Sequence, residues 1–596
     1  QGTLYGKNSN AGAISVTTKK PNLEETEGYI EAQAGDYSLW RLTASVTGPV
    51  SDTVAYRISG SMHERDGYYD NAGGDDLNDA DNWNVQGKLL WEPTDELSLL
   101  LSAAHVDTDT TCCGADATQT DVVNDALEAR GLPRDKRDPF DYDVAVDLDS
   151  SFEMESDLVY LTVNYDMEWA SITSITSWND YDYSVTTDPD RSQLDILQLF
   201  DDNYDGDSFS QELRLTSEMD GSIDFQIGLF YYDQTIERGD GSAFVRVGED
   251  MIEIAGQQDL PFPAPIAFLT QPGDYLVGDN KLETESYAVF GQATWHLSDV
   301  WHLTGGLRWT DEEKDADLYT ETFSTSQAAQ VLGRSLLDSF ATPINETFNR
   351  SSDNVDWLVR VSHDLNDDIM LFASASTGSK SGGFNSVSGA PEDRQFDDED
   401  TSSYELGIKS SWLDNALRIN ATAFYTEVED YQSQQQLPTG AGTFVSNDGE
   451  IETAGLDLQF EAAPLPNLRL SGGLLYMDKY EVTDGPSEGD DLSFTAEYSG
   501  NLAATVLFPL GDGNLFWRTD YSYMDDHDNG ETEDDRELVN SRLGWRNDNW
   551  NVSVWGKNLT DDEYATQTAA TFLFSGMDAF FLAPPRTYGA TVRYDF

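Results

Sequence analysis

Long apolar runs are missing from this 596-residue chain. No stretch approaches the ~18 consecutive apolar residues that a membrane-crossing helix requires, and mean hydropathy is −0.50. That excludes helical spans but not crossing strands, whose alternating residues give weak hydropathy signals. Positive charge is scarce as well. Against 110 Asp and Glu stand 34 Lys and Arg, a formal net charge of −76. A field of that sign repels nucleic acid and excludes it as a main partner. It suits a saline environment, and it equally suits acidic loops that collect cations or divalent-bridged lipopolysaccharide; the composition leaves both readings open. Cysteine is limited to the adjacent Cys112 and Cys113, which cannot staple a chain of this length. A disulfide between neighbours is strained but permitted in an extracytoplasmic compartment, and the surrounding loop offers too few ligands for zinc. Linkers rich in Pro, Ser or Gly and block repeats are absent, so a division into several soluble domains of ~150 residues has no visible boundaries. Gln1-Gly2-Thr3 has no leader character and reads as the interior of a longer chain.

Catalytic signatures are lacking too: there is no nucleophile elbow, phosphate loop or HExxH motif. Carboxylates are so numerous that no pair of them is diagnostic. His63, His105, His296, His302, His363 and His527 show no metal-ligand spacing; His296 and His302 flank a short turn and read as turn or interface residues. The chain is expected not to be an enzyme.

Period-2 alternation is what the sequence has in abundance. Trp40, Leu42, Ala44 and Val46 alternate with Arg41, Thr43, Ser45 and Thr47; Tyr588, Ala590, Val592, Tyr594 and Phe596 alternate with Gly589, Thr591, Arg593 and Asp595. The polar set includes Arg and Glu on successive strands, which suits a wet lumen. Short turns at 48–52, 92–96, 166–168, 218–222, 298–300, 364–368, 413–416, 463–467, 509–513 and 546–549 each separate two such strands. These hairpins, one strand before them (Tyr29–Gly35) and one after (Thr587–Phe596), predict 22 strands. Between hairpins run long Asp-rich connections, roughly 66–83, 108–156, 182–207, 237–283, 313–354, 378–402 and 427–452. Short turns on one side and long loops on the other mark an outer-membrane barrel, with both chain ends on the periplasmic side. Closure also removes the edges that so many strands would otherwise expose. Trp83, Trp91, Trp169, Trp178, Trp295, Trp301, Trp309, Trp517, Trp545 and Trp550 fall near strand ends, where interface girdles place them. The expected fold is therefore all-β, a 22-stranded antiparallel transmembrane β-barrel, and a lumen of that size needs a plug.

The opening segment, Gln1-Gly2-Thr3-Leu4-Tyr5-Gly6-Lys7-Asn8-Ser9-Asn10-Ala11-Gly12-Ala13-Ile14-Ser15-Val16 through Lys20-Pro21, resembles the last part of the plug domain of TonB-dependent outer-membrane receptors. Gly2, Leu4, Tyr5, Gly6, Asn8 and Gly12 carry the match, with Ala11-Gly12 where the family usually has Gly-Gly. Gly12–Val16 is expected as a short buried strand. Val554-Trp555-Gly556-Lys557-Asn558-Leu559-Thr560-Asp561-Asp562-Glu563-Tyr564 and Pro584-Pro585-Arg586-Thr587-Tyr588-Gly589 are similar to the family's C-terminal motifs. Phe209–Leu215 and Lys380-Ser381-Gly382-Gly383-Phe384-Asn385 are similar to others, and Tyr594 with Phe596 matches its C-terminal insertion signal. The resemblance implies residues 1–22 as the C-terminal end of a plug and 23–596 as the barrel, with most of the plug and the energy-coupling box lying ahead of Gln1. It implies active import across the outer membrane of a Gram-negative bacterium, driven by TonB and its inner-membrane energising complex.

The implied cargo is a scarce, bulky small molecule, a ferric siderophore or other iron chelate first. Oligosaccharide, cobalamin and haem remain alternatives, as does a passive porin-like channel. Acidic loops fit anionic chelates poorly, because like charges repel. Loop aromatics Tyr68, Tyr69 and Phe384 are candidate contacts, with ordinary loop packing as the competing reading. A secreted multidomain β-protein or hydrolase would predict a soluble monomer instead. Asp201-x-Asn203-x-Asp205-Gly206 followed by Glu212 fits the calcium-loop pattern of EF-hands. No flanking helix appears, however, and Glu212 sits within a strand pattern. No resident cofactor is expected, with structural calcium in the acidic loops left open.

Overall fold

Residues that alternate apolar and polar have no helical face to bury, so the chain extends and pairs with its neighbour. The computed structural model describes residues 2–596 except 10–11, 133–139, 149, 219–220, 240–242, 256–268, 334, 340, 342, 386–392, 437–442, 448, 531 and 571–577. Twenty-two antiparallel strands, from Glu27–Gly35 to Thr587–Asp595, each pair with the next, and the last pairs with the first to close a barrel. One more strand, Ala243–Val247, folds back from a loop onto Leu197–Ser217 and Tyr275–Ser298 without joining the wall.

The seam is set by a glycine. Tyr29 lies opposite Asp595 and Gly35 opposite Gly589. Beyond the ladder's end the Gly28 amide donates to the Phe596 carbonyl at 2.8 Å, and the Phe596 amide donates to Gly28 at 2.9 Å. A Cβ on Gly28 would stand 2.6 Å from the Ser45 carbonyl oxygen and 2.7 Å from the Phe596 ring. Tyr594 lies against Trp550, ring centres 4.7 Å apart, and against Phe596 at 6.2 Å. The residues expected to signal insertion thus form the outer surface of the closing strand.

The two faces divide as the alternation predicts. Val85, Leu89 and Trp91, Tyr287, Val289 and Trp295, and Leu307 and Trp309 are exposed on the outside. Lys88, Phe290, Arg308 and Thr310, on the opposite parity, are buried inside. Nine of the ten girdle tryptophans are exposed, and Trp545 is half-buried with its indole donating to the Leu510 carbonyl. All ten short turns lie at one end, with residues 219–220 of the fourth outside the described part.

Loop lengths depart from expectation in one respect. Tyr275–Ser298 has 24 residues, Trp301–Phe323 and Ile344–Asn366 have 23 each, whereas ~9–11 suffice to cross a membrane. Much of what reads as loop at 237–283 and 313–354 is therefore strand standing clear of the bilayer. Apolar alternation stops where lipid stops, because both faces then meet water. Along this projecting rim Asp233 lies opposite Glu285, Glu285 opposite Glu313, and Glu283 opposite Asp315.

Above the rim the loops pack on one another. Val123, Ala126 and Leu127 of the helix Asp121–Arg130 join Leu194, Ile196, Met251, Ile254, Leu336 and Leu337 in a buried apolar cluster. That helix starts on Thr120, whose hydroxyl accepts the Val123 amide, and ends on Gly131 at φ 73°.

Candidate functional site: the lumen segment and the loop cap

The N-terminal segment runs inside the barrel. Its short helix Gly2–Tyr5 lies against the wall strands Tyr275–Ser298, Trp301–Phe323, Ile344–Asn366 and Ile369–Lys380. Gly2 is there because nothing larger fits: a Cβ would lie 3.1 Å from the Asp356 carboxylate and 3.2 Å from the Gly378 backbone. Gly6, at φ 88°, turns the chain above Arg308. The Arg308 guanidinium is held over the Phe230 and Phe290 rings and donates from Nε to Thr310. Leu4 is half-buried and Tyr5 is exposed.

Lys7 and Asn8 then plug into the wall. Lys7 Nζ donates to Ser352 at 3.1 Å and lies 3.7 Å from Glu312, which also meets Lys314 at 3.4 Å. The Asn8 amide donates to the Ser379 carbonyl at 2.9 Å, and its side-chain oxygen accepts the Ser381 amide at 3.0 Å. The run Lys380–Asn385 is the socket. Lys314 donates to the Gly382 carbonyl, the Gly382 amide donates to Asp398, and Arg350 bridges Asp397 and Asp398 at 2.6 and 3.0 Å. Burial opposes ionisation of Asp398, but hydrogen bonds from Asn354 and Gly382, with Lys7 and Arg350 nearby, outweigh it and hold its carboxyl below the ordinary value.

Residues 12–17 correct an expectation. Gly12–Val16 forms no strand, and Ile14 and Val16 are 96% and 82% exposed. A strand requires a partner, and no described residue pairs with this stretch. Gln1, Asn10 and Ala11 of the motif lie outside the described residues. Beyond it the chain is tethered again: Lys88 donates to Thr18 and the Lys19 carbonyl, Arg57 Nε donates to the Lys20 carbonyl, and the Asn22 amide donates to Thr47.

Tyr69 is likewise corrected. It is fully buried, packed at a tilt against Tyr68 and Tyr142, and its hydroxyl accepts the Leu582 amide at 2.9 Å. It cannot touch a ligand; it pins the strand Asp578–Leu582 to the first large loop. Tyr68 is half-buried and donates to the Leu582 carbonyl at 3.2 Å. Phe384 packs on Phe348 beside Ala316, Leu318 and Ile344. Loop packing accounts for all three. Cys112 and Cys113 are bonded to each other, and Arg191 donates to the Cys113 carbonyl.

Asp201, Asn203, Asp205 and Glu212 all lie on the one strand Leu197–Ser217, the Asp201 side chain being outside the described part. Nine residues of extended chain separate Asn203 from Glu212 by ~30 Å, and Glu212 is paired with Arg214 on the lumen face. They do not ring one ion. Among the described residues no three His, Cys, Asp or Glu side chains converge as metal ligands.

What the alternation could not reveal is a buried acidic knot in the cap. Asp188 Oδ1 accepts the Asp190 and Arg191 amides at 3.0 and 2.9 Å, and Asp190 accepts Ser192 Oγ and the Leu197 amide. Asp147 meets Asp188 side chain to side chain. Burial, then the charge of Asp147, pushes Asp188 up to about 8; burial, then Asp195, pushes Asp147 up to about 6; burial and Asp188 raise Asp190 well above its ordinary value. Folding thus raises these pKa values above 3.8. The stabilisation they carry is complete below that value and drains away as pH climbs through about 6 and then about 8. Hydrogen-exchange protection of residues 188–196 is expected to fall from pH 5 to pH 8, and Asp188→Asn to flatten that fall. Equal protection at both pH values in the native chain contradicts it.

Two of the open cavities among the described residues bear on what the barrel could hold. One of 280 Å³ in the cap is lined by Asp70, Asp116, Asp141, Asp143, Arg191 and apolar neighbours. The other, a lumen cleft of 720 Å³, is walled by Arg418, Asn420, Asp457, Gln459, Asn501 and Arg536.

A family model described as TonB dependent receptor-like, beta-barrel matches residues 114–559. The chain is 24% identical over 612 residues to the pesticin receptor of Yersinia enterocolitica, spanning all of this chain and 80% of that one. It is 23% identical over 523 residues to the metal-pseudopaline receptor CntO of Pseudomonas aeruginosa, covering 85% of this chain and 66% of the relative. Among solved structures, the ferric yersiniabactin uptake receptor FyuA of Yersinia pestis superposes with a TM-score of 0.80 at 21% identity, over 100% of this chain and 84% of that one. The siderophore receptor PiuA of Acinetobacter baumannii gives 0.75 at 18%, over 100% and 85%. With its closed 22-stranded barrel and a family match over most of its length, this chain belongs to the TonB-dependent receptors of the Gram-negative outer membrane.

Proposed function

We propose that this barrel imports a metal chelate, a ferric siderophore first, as a transporter with no enzymatic step and no resident cofactor. Residues 1–22 are read as the end of a plug and residues 23–596 as the channel it closes. The observation that carries the reading is the N-terminal segment bound inside the lumen, with Lys7 held by Ser352 and Glu312 and Asn8 by Ser379 and Ser381. A passive pore has no use for a segment fastened across its own wall. That segment is a short helix followed by irregular chain, without the short buried strand expected at Gly12–Val16, and it occupies the lumen all the same. TonB, pulling on the plug from the periplasm, would have to break these polar contacts, which are strong enough to hold at rest and weak enough individually to yield, at ~0.5–1.5 kcal/mol net for a typical hydrogen bond.

Relatives named for ferric yersiniabactin, ferric pyoverdine and metal-pseudopaline support a chelate as cargo. The charge of this chain narrows the kind. With carboxylates around the cap cavity and a net charge of −76, a neutral or cationic chelate is favoured over an anionic one. The test is growth of a deletion strain on a panel of iron and other metal chelates of differing charge, with complementation. Loss of growth on a neutral or cationic chelate is expected. Unchanged growth on every chelate sinks the proposal, and loss confined to anionic ones sinks the charge argument.

A further inference from the structure

At the turn end of the barrel, four neighbouring wall strands present Asp224, His296, His302 and Asp364 in a row on the lumen face. His296 and His302 are direct cross-strand partners on either side of the tight turn between Ser298 and Trp301. Their Nδ1 atoms are 2.7 Å apart. Each ring turns its other nitrogen to a carboxylate: His296 Nε2 to Asp224 at 2.7 Å, His302 Nε2 to Asp364 at 3.0 Å. The side chains remain 34% and 21% exposed, open to the lumen water.

The hydrogen-bond inventory leaves one cation to find. A carboxylate accepts and does not donate, so each Nε2 carries its proton. A neutral imidazole protonated at Nε2 has a lone pair at Nδ1. Two such lone pairs repel at 2.7 Å, so a positive species belongs between them, either a proton or a metal ion. The carboxylates favour the metal. An imidazole ligand almost always gives its second N–H to a carboxylate or carbonyl, which fixes the tautomer and raises the basicity of the binding nitrogen. Here that arrangement occurs twice, facing inward on one point. Nitrogen donors select zinc, copper or nickel over calcium and magnesium, which take oxygen.

We propose that His296 and His302 bind one late first-row divalent metal ion through their Nδ1 atoms at the periplasmic mouth of the lumen, with Asp224 and Asp364 as positioning residues. Two nitrogens at ~2.05 Å from a tetrahedral ion stand about 3.3 Å apart. The rings therefore part by roughly half an ångström on loading, within reach of small side-chain rotations in half-exposed residues. Water fills the other coordination positions. The site is independent of which cargo the barrel carries.

The experiment uses the full chain in detergent, with 10 mM calcium present to occupy carboxylate-only sites, and titrates zinc chloride calorimetrically. One zinc per chain is expected. His296→Ala and His302→Ala abolish it, Asp224→Asn and Asp364→Asn weaken it ~10–100-fold, and His105→Ala, on the outer face, leaves it intact. Copper(II) in the native chain gives an electron-paramagnetic signal split by two nitrogens, a readout that survives any folding defect in the variants. Absence of stoichiometric zinc over the calcium background, retention in His296→Ala, or a copper signal without two-nitrogen splitting overturns the proposal.

Discussion

Gly28→Val is expected to leave little folded barrel in the outer membrane, while Gly87→Val leaves the yield unchanged. At Gly28 the new side chain meets the Ser45 backbone oxygen at 2.6 Å, which cannot swing away, and the Phe596 ring at 2.7 Å. Ordinary overpacking costs ~1–3 kcal/mol because neighbours shift; here Ser45, on the second strand, blocks a shift to one side, so the first strand is pushed toward Phe596 and the shift opens the seam. A Cβ on Gly87 meets nothing within 4 Å, on the lipid-facing side of its strand. Deleting Phe596 removes the same two backbone bonds from the other side and is expected to act like Gly28→Val. Heat-modifiability and the amount of barrel recovered from outer-membrane fractions read the outcome. A native yield of Gly28→Val, or an equal loss in Gly87→Val, contradicts the assignment.

Tyr69→Ala is expected to unfasten the cap. Removing a fully buried aromatic side chain costs ~3–5 kcal/mol, and this one packs on Leu77 of its own loop and joins it to two segments distant in sequence through Tyr142 and Leu582. Tyr69→Phe keeps the ring and strands the Leu582 amide, a smaller loss of ~1–3 kcal/mol. Protease cutting near residues 142–146 and 565–570 should increase strongly in the first variant and modestly in the second, with the barrel itself unaffected. Equal cutting in both would mean that the hydroxyl, not the packing, holds the cap; no change in either would remove Tyr69 from its structural role.

The strand count, the ten short turns, the outward tryptophans and the closing role of Phe596 were legible because each is local. Alternation, turn chemistry and a terminal aromatic are read within a dozen residues. What escaped needed pairing. Extensions such as Glu313–Phe323 hide among loops because an extended segment wet on both faces looks like any polar chain. Tyr69 looked like a ligand contact because its partners, Tyr142 and Leu582, lie far along the chain. His296 and His302, dismissed for lack of ligand spacing, face each other only because the register shifts between His296 and Ser298; a regular hairpin would set Leu297 opposite His302, so the spacing in sequence carried no signal. The Gly12–Val16 strand failed for the converse reason, since a local pattern cannot supply the neighbour it needs. The Asp201–Glu212 pattern had the right letters on a backbone that is straight where an ion-binding loop must curl.

The projecting rim of the barrel has one further consequence. Asp233, Glu285 and Glu313 stand in line across three strands, and Glu283 and Asp315 repeat the motif beside them, although like charges directly opposite destabilise a sheet. Lys281 offsets part of that charge, 3.0 Å from Glu283, and Tyr231, Tyr287 and Asn349 donate to Glu285, Glu313 and Asp315. The rim is a short polyelectrolyte collar, and the repulsion left along it is of the kind that dissolved ions screen, so its pairing is expected to tighten as ionic strength rises.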